Sequence, residues 1–146
     1  RTRGAELALD IRNLLSGSLD MGASISFNDA RIVRNDKYPE SVGKAFYRIP
    51  KWRADLAATY RWTEAISSSL GLRYSGRQYN TLDNTDINPG TFGGTSNYFV
   101  ADAKLNAALG PHATLGLGVE NLTDERYYAY HPYPGRTWLS EIRFAF

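Results

Sequence analysis

The sequence predicts an all-β chain: an antiparallel, up-and-down transmembrane β-barrel segment of about seven strands. Three observations lead there. Long stretches alternate apolar and polar residues, the period-two pattern of a strand with one greasy face and one polar face. The connections between them run strictly short, long, short, long, as outer-membrane barrels alternate periplasmic turns with extracellular loops. The chain also stops on an aromatic, with Ile142, Phe144 and Phe146 on one face and Glu141, Arg143 and Ala145 on the other.

Residues 4–13 set Ala5, Leu7, Leu9 and Ile11 against Glu6, Ala8, Asp10 and Arg12, and Leu15, Ser16 and Gly17 make a tight turn. Residues 18–30 turn Leu19, Met21, Ala23, Ile25 and Phe27 away from Asp20, Gly22, Ser24, Ser26 and Asn28. That length suits a tilted membrane-spanning strand better than a globular one. Residues 31–50, with Asp36, Pro39, Gly43 and Pro50, form a long polar loop.

The pattern resumes over residues 51–62, with Trp52, Ala54, Leu56, Ala58, Tyr60 and Trp62 opposite Arg53, Asp55, Ala57, Thr59 and Arg61. After a short turn at Thr63 and Glu64, residues 65–79 are expected to form one strand. Ile66, Leu70, Leu72 and Tyr74 lie on its apolar face, with Ser68 an exception; Ser67, Ser69, Gly71, Arg73, Ser75, Arg77 and Tyr79 lie opposite. Residues 80–97 are a second long loop, rich in Asp, Asn, Thr and Gly. Residues 98–109 alternate Phe99, Ala101, Ala103, Leu105 and Ala107 with Val100, Asp102, Lys104 and Asn106, and Gly110, Pro111 and His112 turn the chain. Residues 113–122 oppose Leu115, Leu117 and Val119 to Thr114, Gly116, Gly118 and Glu120. A Tyr-crowded loop over residues 123–134 precedes the closing strand, residues 135–146.

Composition narrows the function classes. The chain has 146 residues, the size of one domain, and a mean hydropathy of -0.42. No apolar run is long enough for a transmembrane helix, yet alternating strands dilute hydropathy, so a membrane barrel stays open. There is no cysteine, hence no disulfide framework or thiolate metal site. A net charge of +2 is too mild to point to nucleic acid. No signal peptide stands at Arg1, so a mature form or a piece of a longer chain is expected.

Two aromatic girdles are expected. Tyr60, Trp62, Phe144 and Phe146 fall at the short-turn end of the apolar face, and Trp52 and Trp138 at the long-loop end. Phe146 then lies at the periplasmic rim. A soluble lipocalin-like barrel or sandwich also alternates, with its apolar face turned inward. The strand lengths and a polar face rich in Gly and Ser favour the membrane reading.

Asn121-Leu122-Thr123-Asp124-Glu125-Arg126-Tyr127, then Pro134-Gly135-Arg136-Thr137-Trp138, then the terminal Phe146, resembles the C-terminal end of TonB-dependent outer-membrane receptors of the siderophore type. Arg3-Gly4-Ala5-Glu6 and Ile49-Pro50-Lys51-Trp52-Arg53 are similar to earlier strand openings of that family. The resemblance implies a barrel of about 22 strands with an N-terminal plug in its lumen. Residues 1–146 would then be the C-terminal part of the barrel, without the plug. A closed bacterial single-chain barrel needs an even strand number, which fits a partial wall. It implies a receptor in the bacterial outer membrane that takes up a scarce nutrient, a ferric siderophore first among candidates, energised through TonB. Implied partners are outer-membrane lipid, the plug and the remaining strands, the TonB complex through the missing N-terminal part, and the barrel-assembly machinery. The last would read Ile142, Phe144 and Phe146 as an assembly signal. A passive porin-like or adhesin barrel and a soluble ligand-binding barrel are the alternatives.

No enzyme constellation is present. His112 and His131 are expected at opposite rims, with His112 solvated. Asn121-Leu122-Thr123 matches a glycosylation sequon but reads as a strand end. Asp83-Asn84-Thr85-Asp86-Ile87-Asn88 is oxygen-rich but lacks the glycine and bidentate Glu of a calcium loop, so no metal site and no bound cofactor is assigned. Arg53, Asp55, Arg61, Arg73, Arg77, Asp102, Lys104, Glu120, Glu141 and Arg143 are expected to face the lumen, mostly in cross-strand ion pairs or bonds to a plug. Nearest the extracellular rim, Arg73, Arg77, Tyr79 and Tyr98 are candidates for an anionic, catechol- or hydroxamate-bearing iron chelate, held by charge and stacking. Tyr127, Tyr128, Tyr130, His131 and Tyr133 form the second candidate surface, from which Tyr127, Tyr130 and His131 are singled out. An interfacial aromatic belt is the plainer reading of that loop.

Overall fold

A computed structural model describes residues 1–86 and 88–146; Ile87, inside the oxygen-rich loop, lies outside the described residues. Seven long strands form one antiparallel sheet in sequence order: β1 (Thr2–Asn13), β2 (Leu19–Ala30), β3 (Trp52–Arg61), β4 (Ile66–Ser75), β5 (Tyr98–Ala108), β6 (Ala113–Glu120) and β9 (Thr137–Phe144). A small hairpin, β7 (Tyr128–Ala129) with β8 (His131–Pro132), sits within the third long connection. Among the described residues β1 and β9 each pair on one side, so the sheet is an open wall rather than a closed barrel.

The register preserves the expected faces. Leu7, Ile25 and Ala54 are paired across β1, β2 and β3, as are Leu56, Leu72 and Ala101 across β3, β4 and β5. Leu115 lies opposite Ile142 and Ala113 opposite Phe144 in the last pair. Because paired residues share a face, one side of the wall is apolar from edge to edge. Those side chains stay uncovered: Leu7 is 69% exposed, Ile142 59% and Trp138 74%. Leaving about a dozen such groups in water would cost on the order of 20 kcal/mol, which a soluble fold does not tolerate. An apolar face of this extent needs a cover, which lipid supplies on the outside of a membrane barrel and the opposite wall supplies inside a soluble one.

Aromatic pairs mark both ends of that face. Phe27 packs on Trp52 at 4.7 Å at the long-loop end, where Tyr74 also lies opposite Phe99. Tyr60 meets Trp62 edge-on at 4.6 Å at the short-turn end, where the Trp62 indole donates to Ser68 Oγ at 2.9 Å. That bond explains a serine on the greasy face.

On the polar face, charges pair across strands. Arg73 donates to Asp102 at 2.9 Å and Arg61 pairs with Asp20, while within β9 Arg143 approaches Glu141 at 3.7 Å. Lys104 on β5 reaches Glu141 on β9 at 2.6 Å, passing over β6. The intervening residues are Gly118, opposite Lys104, and Gly116, opposite Glu141. A Cβ at Gly116 would stand 2.8 Å from Glu141 Cγ, so a side chain there would displace Glu141 from its position in the bridge. Gly116→Val is expected to destabilise the full-length protein by about 1–3 kcal/mol through overpacking. Its urea midpoint should recover when Glu141→Ala is added; additive losses would exclude this steric coupling.

Two features differ from expectation. The fourth strand ends at Ser75, not at residue 79. Gly76 N–H still donates to Trp52 carbonyl at 2.9 Å, but residues 93–96, which would have extended β5, pair with residues 128–130 instead. Arg77 and Tyr79 thus belong to a loop and not to the lumen face of a strand. At the other end, His112 is not merely solvated: its Nδ1 lies 3.1 Å from Ala145 carbonyl oxygen, and Ala145 N–H donates to His112 carbonyl at 3.0 Å.

Candidate functional site: the knitted long-loop end

The long connections mix polar residues with exposed apolar ones such as Val33, Val42 and Phe92, and much of their order comes from contacts with one another. Ile32 N–H donates to Lys44 carbonyl at 3.1 Å, closing the first loop on itself. The Asn84 side chain, from the second loop, both accepts from Ala45 N–H at 2.8 Å and donates to Ala45 carbonyl at 3.0 Å. Asn80 bonds Gly93 carbonyl and the Thr95 hydroxyl. Residues 93–96 then run beside the β7–β8 hairpin: Gly93 N–H donates to Tyr130 carbonyl at 2.7 Å and Tyr130 N–H to Gly94 carbonyl at 2.9 Å. Three loops distant in sequence become one body.

Beneath it is a small packed core. Val100 and Ser75 are fully buried, with Thr95, Ser96, Asn121 and Tyr127 almost so. Tyr127 stacks between Tyr98, at 4.4 Å, and Tyr133, at 4.6 Å. Asp102 joins this stack to the wall, accepting from Arg73 Nη2 at 2.9 Å and from Asn121 N–H at 2.8 Å. Burial pushes the Tyr127 phenol up to about 12 from the usual 10.0. A phenol whose folded value is raised stabilises fully below its unfolded value and loses that contribution as pH climbs through the folded one. Loop protection from hydrogen exchange is therefore expected to hold below pH 10.0 and to fall towards pH 12. Tyr127→Phe should abolish that pH dependence; an unaltered profile in the variant would assign the transition elsewhere.

The segment 121–136 explains its own composition. Asn121 takes a left-handed conformation, with φ 52°, and ends β6. Its side chain accepts from Glu125 N–H at 2.8 Å and donates to the carbonyls of Glu125 and Pro134 at 2.9 and 3.2 Å. Asp124 Oδ1 accepts from Arg136 N–H at 2.8 Å, and Arg136 Nε donates to Leu122 carbonyl at 3.1 Å. A Cβ on Gly135 would sit 2.9 Å from that same Asp124 oxygen. The Asn, Asp, Gly and Arg of the two short motifs hold the two ends of one loop together. Asn121 is only 4% exposed, which removes the glycosylation reading.

A second cluster gathers cations and rings nearer the surface. The Arg48 guanidinium lies 5.0 Å from the Tyr130 ring centre and 5.6 Å from that of Tyr47. The Arg48 backbone N–H donates to Tyr79 carbonyl at 2.8 Å, which ties all three loops together. Arg77 covers the Tyr79 ring at 4.8 Å and donates to Asp86 carbonyl at 2.8 Å. His131 packs edge-on to Phe92 at 4.9 Å. Of the residues singled out in the sequence, Arg73, Tyr98 and Tyr127 come together on the lumen side. Arg77 and Tyr79 pair in the second loop, and Tyr130 and His131 each meet a partner the sequence did not suggest. Arg48, Tyr47 and Phe92 were missed. The one available signal was an aromatic-basic run, Phe46-Tyr47-Arg48, inside a loop otherwise read as polar.

The acids of the second loop serve the loop itself. Asp83 accepts from the Thr85 amide and hydroxyl, and hydroxyls of Thr81 and Thr85 hold its carboxyl below the usual range. Asp86 accepts from Asn80 N–H at 2.9 Å and Thr81 Oγ1 at 3.1 Å. Among the described residues no three His, Asp or Glu side chains converge.

Comparison with known proteins agrees with this architecture. The family described as TonB dependent receptor-like, beta-barrel matches residues 1–122. The catecholate siderophore receptor Fiu of Escherichia coli (strain K12) is 35% identical over 98 residues, covering 62% of this chain and 12% of that receptor. Among solved structures, the siderophore receptor PiuA from Acinetobacter baumannii superposes with a TM-score of 0.84 at 22% identity, over 98% of this chain and 21% of that one. The closed form of the ferric-catecholate import receptor Fiu from K12 E. coli gives 0.79 at 25% identity, over 99% and 21%. The chain thus spans 12% of the length of the curated relatives it matches.

Proposed function

The chain belongs to the TonB-dependent receptor β-barrel family of the bacterial outer membrane, and from that premise we propose that it is the C-terminal part of a receptor importing a ferric siderophore. The whole receptor would include a plug and the remaining strands and would draw its energy from TonB. The relatives are transport receptors rather than enzymes, and the wall geometry fits passage rather than catalysis. Within the siderophore class we favour a catecholate complex, since Fiu is described as a catecholate receptor. The observation that carries the reading is the cation-aromatic cluster on the knitted loops, where Arg48 lies against Tyr47 and Tyr130 and Arg77 against Tyr79. Guanidinium groups beside aromatic rings suit a planar, anionic ring ligand. The Arg73–Tyr98–Tyr127 group is proposed as the inner contact, below the loops.

The test is equilibrium binding of ferric catecholate, ferric hydroxamate, haem and cobalamin to the full-length receptor. Tight binding of one of the others, with none of either ferric siderophore, would sink the siderophore assignment. The passive-barrel alternative predicts ion conductance without TonB and no saturable binding.

The assembly signal is carried forward as part of this reading. Phe144 ends β9 on the lipid face, and Phe146 projects beyond the last paired residues, fully exposed. Deleting Phe146 is expected to lower the amount of heat-modifiable barrel in outer membranes several-fold. Unchanged assembly would remove the role.

A further inference from the structure

The first and second long loops meet along one short seam. Among the described residues, every hydrogen bond across it falls between residues 45–48 and residues 79–84. One runs from the Arg48 backbone N–H to Tyr79 carbonyl. The others join the Asn84 side chain to Ala45. The pairing of Ala45 explains why it needs them. On one side, the segment around Ala45 bridges antiparallel to Arg31. There Ile32 N–H donates to Lys44 carbonyl at 3.1 Å and Phe46 N–H to Ala30 carbonyl at 2.8 Å. Between two such bonds, the N–H and carbonyl of the intervening residue point the other way. Ala45 therefore turns its donor and its acceptor towards the second loop, where the chain offers no strand. The Asn84 carboxamide carries a donor and an acceptor on one planar group, so it takes the place of the missing backbone.

Asn84 can reach this position because its φ is 59°, a left-handed conformation that Asn tolerates better than other residues with a side chain. Arg48, at φ 61°, and Tyr130, at φ 67°, hold the same conformation without that tolerance, so they need the seam to keep them there. Both cation-ring groups hang on it. Arg48, with Tyr47 and Tyr130, follows Ala45 by three residues; Arg77 and Tyr79 belong to the loop of Asn84.

We propose that Asn84 is a positioning residue for the chelate. It stays clear of the ligand, and by holding Ala45 it fixes Tyr47 and Arg48 at the spacing from Arg77 and Tyr79 at which one planar anion meets both groups. This inference rests on the ferric catecholate reading above. Without the carboxamide the seam opens, Arg48 relaxes, and the binding-competent arrangement becomes a minor one. Apparent affinity then falls in proportion to the competent fraction.

Stopped-flow fluorescence quenching by a ferric catecholate, with full-length receptor carrying Asn84→Gly, tests it. Glycine accepts the left-handed backbone freely, so only the carboxamide is lost. Affinity is expected to fall about tenfold, the effect of losing two neutral hydrogen bonds from the ordered form. The loss should appear in the association rate, with dissociation unchanged; a side chain in contact with the chelate would speed dissociation instead. In an Arg48→Ala background the cation to be positioned is gone, so Asn84→Gly should have no further effect. Heat-modifiable migration verifies that each variant has folded. Native affinity in Asn84→Gly beside weakened binding in Arg48→Ala overturns the proposal and leaves the siderophore reading standing. Faster dissociation would make Asn84 a contact residue, and an equal loss in the Arg48→Ala background would detach it from Arg48; either overturns it. Native affinity in both single variants would remove the cation-aromatic cluster as the binding site, and this inference with it.

Discussion

Asn121→Ala is expected to release the third long loop while the seven-stranded wall stands. The side chain is buried and takes part in bonds to Glu125 N–H, Glu125 carbonyl and Pro134 carbonyl. Removing it strands three backbone groups where water reaches them poorly. An unsatisfied buried group costs about 1–3 kcal/mol. Alanine also inherits the left-handed backbone, φ 52°, which costs a further 1–2 kcal/mol or so. The sum, about 3 kcal/mol or more, exceeds what a polar loop can recover from its remaining contacts. The wall, by contrast, keeps every ladder of β1 to β6. Hydrogen exchange over residues 121–136 of the full-length receptor should therefore accelerate about a hundredfold, with β3 and β4 unchanged. Asn121→Gly separates the two contributions, since it relieves the backbone and still loses the bonds. Unchanged protection in both variants would show that the Asp124–Arg136 clasp suffices alone.

Arg48→Ala is expected to produce the largest loss of ligand affinity from a residue outside the wall. Two effects add. The guanidinium that would meet an anionic chelate beside Tyr47 and Tyr130 disappears, and so does the cation that holds those rings in place. An exposed cation–π contact is worth about 0.5–1 kcal/mol and a charge-assisted hydrogen bond to an anionic ligand about 1.5–3 kcal/mol. Affinity for the ferric catecholate should fall at least about thirtyfold. Arg48→Lys keeps the charge but loses the planar fork, so it should recover only part. Arg48→Gly tests the backbone, because residue 48 has φ 61° and glycine accepts that conformation freely. Equal losses in the Gly and Ala variants assign the effect to the side chain. Native affinity in all three would leave the Arg73–Tyr98–Tyr127 group as the binding site.

The wall could be read in advance because a strand writes its faces into the chain at period two. Leu19, Met21, Ala23, Ile25 and Phe27 alternate with small polar residues over a single strand, and across the wall only serines, Ser68 and Ser140, interrupt the apolar face between its ends. Short turns and the closing Phe144 and Phe146 are equally local. Strand ends were less legible. Residues 76–79 continue the alternation, yet they leave the sheet because their would-be partners pair with the β7–β8 hairpin, a choice made some thirty residues downstream.

The candidate site was legible only as residue types. Arg73, Tyr98 and Tyr127 could be nominated because strand position and aromatic crowding place them near one rim. Nothing local joins Arg48 to Tyr130 or Asn84 to Ala45, since each contact depends on how three loops settle together. Sequence alone determined the membrane-facing wall, its orientation of faces and its family, because repeated short-range alternation suffices for a lipid-bounded sheet. Tertiary structure alone decided which cations meet which rings. Polar loops have no periodic face to guide them, and their hydrogen bonds are satisfied by whichever distant backbone the fold brings within reach.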